Sequence, residues 1–105
     1  MSGHIVVLTT AGSEEEAKKI SQGLVQKKLA YCVNTIPSIQ STYHWEGKLC
    51  VDKELLLIIK TQEKKFTALK TWILENHSYD VPEVIALPIT QGSADYLKCI
   101  DGWVG

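Results

Sequence analysis

The sequence predicts an α+β fold: a ferredoxin-like βαββαβ sandwich with a long protruding β-hairpin and a short C-terminal helix. Three observations predict it. Apolar β-branched runs and amphipathic stretches follow one another as strand, helix, strand, strand, helix, strand, the split βαβ order that lays two helices on one antiparallel sheet. Glu46-Gly47 sits between two long β-rich arms, as a two-residue hairpin turn would. The 105 residues contain no repeat, linker or low-complexity stretch, so 1–105 is expected to be a single domain, long enough to bury a core without staples.

The first strand is "HIVVLTTA" (4–11), closed by Gly12. "SEEEAKKISQGLVQKKL" then opens with Ser13 as N-cap and Glu16 three residues on, the pattern of a capping box. Glu14, Glu15 and Glu16 suit the positive end of that helix, Lys27 and Lys28 its negative end, and Ala17, Ile20 and Leu24 mark its inward stripe. Phe66, Leu69, Trp72 and Ile73 give "QEKKFTALKTWILEN" (62–76) the period of a second helix. "VIALPI" (84–89) is the last strand. Ser93 caps a short helix with Leu97 and Ile100 on its face.

The segment 31–61 carries the most information. Pro37 interrupts its first arm, which requires a bend, a bulge or an edge position. Pairing about Glu46-Gly47 sets Tyr43 opposite Cys50 and His44 opposite Leu49. The second arm runs from Lys48 to Thr61 without a breaker, roughly 45 Å at ~3.3 Å per residue. A compact domain of this size has a radius of gyration of about 13 Å, so the hairpin must leave the globule. Its tip carries Tyr43, Trp45, Leu49 and Val51 on open edges, an aggregation hazard that pairing with further copies of the chain removes. A closed homo-oligomer is expected.

Eleven lysines stand against twelve acids, with no arginine. Without the residue that forks onto phosphates and guanine edges, and without a basic excess, nucleic acid is excluded as a partner. No run approaches the ~20 apolar residues of a membrane span, and the first residues lack a basic-then-apolar signal, so no membrane association and a cytoplasmic location are expected. Cys32, Cys50 and Cys99 form neither a disulfide framework nor a zinc knuckle and read as buried free thiols. No nucleophile elbow or triad motif is present, so an enzyme is not expected.

Six stretches in order, "VVLTTAGSEEEA", "KLAYCVN", "YHWEGK", "LLLIIKT", "HSYDVPEVIALPI" and "DYLKCI", resemble the divalent-cation tolerance family known as CutA. The resemblance runs from about Ile5 to Ile100. It implies a tight homotrimer built through the long hairpin, in a protein linked to copper and other divalent metals. The chain departs from the family at Ser78, usually proline, and at Tyr31, usually alanine. Some members carry cysteine at the position of Thr9 and a second histidine at that of Asn76, both proposed as copper ligands. Here only His77 of that set remains.

The stretch "ENHSYDVPEV" (75–84) holds Glu75, His77, Asp80 and Glu83 beside Pro82. His77 suits the end of a helix, where an imidazole meets the last carbonyls. It is also a borderline ligand for Cu²⁺ or Zn²⁺, with Cys32 and Glu83, both at strand starts, as the partners that would complete a site. Lys60, ending "LLLIIK", is either a snorkelling lysine or, with Tyr79, Glu83 and Cys32, part of a polar pocket between subunits. Trp45 is assigned to the same pocket, with hairpin packing as its alternative role. The expected function is metal-linked binding, with copper or another divalent cation as ligand. The alternative is a regulatory trimer, as in PII-like proteins, that takes a small anionic ligand or a partner protein in its clefts.

Overall fold

The structure is a computed structural model and describes residues 3–105; the first two residues of the expected domain lie outside it. Strand β1 (His4–Ala11) leads to helix α1 (Glu14–Gln26), the hairpin arms β2 (Cys32–Trp45) and β3 (Lys48–Gln62), helix α2 (Phe66–Asn76), strand β4 (Ile85–Pro88) and helix α3 (Ala94–Val104). A 3₁₀ turn at Glu63–Lys65 leads into α2. The four strands form one antiparallel sheet in the order β2-β3-β1-β4, as a ferredoxin-like sandwich requires.

Local signals account for the element ends. Ser13 Oγ accepts from Glu16 N at 3.1 Å, but the Glu16 carboxylate reaches across to Ser78 N at 2.9 Å. Glu46 and Gly47 both have positive φ, 49° and 78°, the backbone of a type I′ turn. Tyr43 faces Cys50 and His44 faces Leu49, the register that this turn dictates. At Pro37 the ladder slips between Ile36 and Ile39, with Ser38 at φ 59°. The proline, lacking an N–H, thus sits in a bulge on an edge strand. The hairpin stretches the molecule to 44 × 25 × 23 Å.

Strand alternation divides the sheet into two unlike faces. Val7, Thr9, Leu57 and Ile59 point at the helices and are buried with Ile20, Leu24, Leu69 and Ile73, forming the core. The register puts Val6, Leu8, Leu56 and Ile58 on the opposite face, with Ile36 from β2 and Ile85 and Leu87 from β4. Much of that second face is left open by the protomer. Ile85 and Leu87 are 50% and 51% exposed, and Leu49 at the hairpin is 76% exposed. Among the described residues no helix is long and apolar enough to cross a membrane.

Candidate functional site

At the foot of the hairpin a cleft of about 780 Å³ opens between β2, β3 and the loop that follows α2. The hairpin supplies Tyr43, Trp45, Asp52 and Glu54 to it; the loop supplies Tyr79, Asp80 and Glu83. Four carboxylates against Lys53 make it an acidic cleft. Two are held by phenols. Tyr43 hydroxyl donates to Asp52, and Tyr79 hydroxyl donates to Glu54 Oε2 at 2.6 Å. The bond to Asp52 pushes the Tyr43 phenol up to about 12. Burial first, and then the bond to Glu54, push the Tyr79 phenol well above its ordinary value. Both tyrosines therefore remain donors at neutral pH, which fixes the two carboxylates in place.

Of the residues expected at a site, Tyr79, Trp45 and Glu83 meet in this cleft. Cys32 and Lys60 lie elsewhere, as partners across the β2–β3 ladder, where the Lys60 ammonium bonds to Asn34 Oδ1 and the Cys32 thiol faces the same oxygen at 3.9 Å. His77 follows α2, with its side chain fully buried. Its Nδ1 accepts from Tyr79 N at 3.1 Å, so Nε2 carries the proton it donates to Thr10 O at 2.7 Å. Both ring nitrogens are engaged, and the imidazole anchors the loop to β1. Among the described residues no three His, Cys, Asp or Glu side chains lie close enough to hold a metal, so His77, Cys32 and Glu83 do not form a ligand set within one protomer. Thr9 is buried in the core, and Asn76 donates to Trp72 O at 2.8 Å, closing the end of α2.

Sequence reasoning passed over Asp52 and Glu54, named Asp80 only within the stretch 75–84, and read Tyr43 as part of the hairpin tip rather than of a site. The Tyr43–Asp52 pair had a signal: the register that puts Tyr43 opposite Cys50 makes Asp52 its diagonal neighbour. Tyr79–Glu54 had none, because the loop reaches the hairpin only through tertiary packing. The thiols also differ from expectation. Cys99 is exposed and Cys32 and Cys50 are half-buried, since all three lie off the core-facing positions.

The sequence matches the family described as CutA1 divalent ion tolerance protein over residues 5–102. It is 53% identical over 94 residues to the chloroplastic protein CutA of Arabidopsis thaliana, spanning 90% of this chain and 52% of that one. It is 47% identical over 92 residues to the divalent-cation tolerance protein CutA of Thermus thermophilus, spanning 88% of this chain and 89% of that one. The solved structure of a divalent cation tolerance protein from Thermus thermophilus superposes with a TM-score of 0.94 at 43% identity, covering 97% of this chain and 99% of that one. The chain spans about half the length of several curated relatives that it matches, the Arabidopsis protein among them.

Proposed function

The chain belongs to the CutA1 divalent ion tolerance family, and on that footing we propose that it acts as a homotrimer taking up a divalent cation, copper foremost, in clefts completed by neighbouring subunits. One observation carries the reading: the apolar second face of the sheet, continuous with a hairpin too long for its globule. Val6, Leu8, Leu56, Ile58, Ile85 and Leu87 would face water in a lone protomer. A contiguous apolar surface of this kind marks an interface, and the free edges of β2 and β4 can add strands from a neighbour.

The acidic cleft opens beside that hairpin. Asp52, Glu54, Asp80 and Glu83 give it a potential that draws cations and repels anions, which favours a metal over the small anionic ligand of a PII-like regulator. A single protomer does not present a full coordination sphere. Side chains from an adjacent subunit would complete it, with Tyr43 and Tyr79 orienting Asp52 and Glu54 from behind.

Native mass spectrometry of the chain titrated with Cu²⁺, Zn²⁺ and ATP tests both parts. The expected result is a trimer that persists at low micromolar concentration and takes one metal ion per subunit but no nucleotide. Glu83→Gln with Asp80→Asn should weaken the metal at least tenfold, about 1.4 kcal/mol. Trp45→Glu with Leu49→Lys should yield monomers or aggregates. A stable soluble monomer overturns the assembly; nucleotide uptake without metal uptake overturns the cation reading.

A further inference from the structure

The carboxylates at the foot of the hairpin are set among aromatic rings, which a bare ion would not need. Tyr43 and Trp45 are alternate residues of β2, so they project from the same side of the strand, and both line the cleft with Tyr79 from the loop after α2. They are 41% and 42% exposed, which leaves their rings open to contact. Tyr79 is held at both ends: its N–H donates to His77 Nδ1 at 3.1 Å and its hydroxyl to Glu54 Oε2 at 2.6 Å. Gly12 makes room for that hydroxyl, since a Cβ there would stand 2.9 Å from it. Glu54 lines the cleft although it is only 8% exposed. Among the described residues its second oxygen has no hydrogen-bond or ion-pair partner. A buried carboxylate is costly unless its charge is paired, so that oxygen calls for a cation. Asp52 lies two residues earlier on β3, on the same side and roughly 6.6 Å away at ~3.3 Å per residue. The Tyr43 hydroxyl already donates to it. With both phenol protons given to carboxylates, the tyrosines offer a ligand their ring faces.

Resting on the reading of this cleft as a cation site, we propose that it binds an aliphatic diamine, a linear dication whose two ammonium groups are separated by a short run of methylenes. Carboxylates stand on two sides of the cleft, Asp52 and Glu54 on the hairpin, Asp80 and Glu83 on the loop. One ammonium meets the unpaired oxygen of Glu54 beside Asp52, and the other meets Asp80 and Glu83. Each ammonium brings three donors and needs no fixed coordination shell. That suits carboxylates spread along a cleft, where among the described residues no three ligating side chains converge. The aromatic wall selects the organic cation. An ammonium within about 6 Å of a ring centroid is attracted by the face of Trp45 or Tyr43, and the methylenes cover the same rings. A cavity of about 780 Å³ lies within the range of small-ligand sites and has room for such a chain. Alkyl ammonium groups keep their charge at neutral pH. Binding is therefore ionic and apolar contact alone; no bond is made or broken and no proton moves.

The test is calorimetric titration of the full chain with 1,4-diaminobutane at low ionic strength, with butylamine, Cu²⁺ and Zn²⁺ titrated in parallel. One diamine per subunit is expected, bound about tenfold more tightly than the monoamine and more weakly as salt is added. Asp52 is exposed, and Asp52→Asn keeps an acceptor for Tyr43 while removing one charge; it should weaken the diamine about fivefold. Trp45→Leu keeps an apolar side chain on the hairpin but loses the ring face, and should weaken the diamine about threefold. Native mass spectrometry should give both variants the assembly of wild type. Should Trp45→Leu alter that assembly, Asp52→Asn decides the outcome. Equal affinity for diamine and monoamine, or wild-type diamine affinity in Asp52→Asn, overturns the proposal. Metal uptake without diamine uptake overturns it as well and leaves the metal reading standing. Diamine uptake without metal uptake upholds it and overturns the metal reading, and uptake of neither overturns both.

Discussion

The Tyr79 hydroxyl donates to Glu54 Oε2 at 2.6 Å and so ties the loop after α2 to the foot of the hairpin. Glu54 is only 8% exposed, and a buried carboxylate without its donor is costly. Tyr79→Phe removes that donor and little else. It should lower stability by about 1–3 kcal/mol, seen as a lower urea midpoint with an unchanged slope. A midpoint equal to that of wild type would show that the bond contributes nothing to folding.

Glu16 provides a second tie, accepting from Ser78 N at 2.9 Å with His77 Nδ1 3.8 Å away. Burial alone would raise its carboxyl, but the bonds from Ser78 and the nearby His77 outweigh that and hold it below 4.5. A carboxyl with a folded value below its unfolded one stabilises fully above the unfolded value. That stability is lost as pH falls through the folded value. The stability gap between wild type and Glu16→Gln should therefore be constant above pH 4.5 and shrink below it. Asp101, held below 3.8 by Gln62 and then His4, adds a separate loss at lower pH that Asp101→Asn removes. Urea midpoints followed from about pH 6 to about pH 3 decide the matter; a gap that does not vary with pH would contradict the assignment.

Thr9 lies fully buried on β1 with no hydrogen-bond partner for Oγ1. A hydroxyl taken from water and left unpaired destabilises the fold by about 1–3 kcal/mol. Valine has the same branched shape without that group. Thr9→Val should therefore stabilise the protein by about 1 kcal/mol, measured by urea unfolding. A loss of stability would mean that the hydroxyl is satisfied in solution.

Gly23 lets α1 approach α2 closely: a Cβ there would stand 2.4 Å from Trp72 Cη2. Alanine improves helix propensity by about 1 kcal/mol, yet the indole is wedged against the core and would have to move. Overpacking of this kind costs about 1–3 kcal/mol, so Gly23→Ala should destabilise. Combining it with Trp72→Leu should recover part of the loss relative to Trp72→Leu alone, since the smaller side chain clears the space. Additive effects in the double variant would remove this account.

What the sequence by itself determined is mostly local. Ser13, the Glu46-Gly47 turn, the bulge at Pro37 and Ser93 each act through backbone groups a few residues away. The register of the hairpin followed from its turn. The length of the second arm alone showed that the hairpin outgrows its domain. The tertiary structure decided the rest, because it depends on which distant segments touch. The imidazole of His77 turned out to be spent on Thr10 O and Tyr79 N, contacts across the chain that no spacing foretells. Lys60 and Cys32 went to one region of the sheet and Tyr79, Trp45 and Glu83 to another. Tyr96 came to lie on Tyr31 because α3 folds back past the start of β2. Side-chain identity sets what each residue can do, but packing between distant elements sets which partner it does it with, and partner choice is what makes a site.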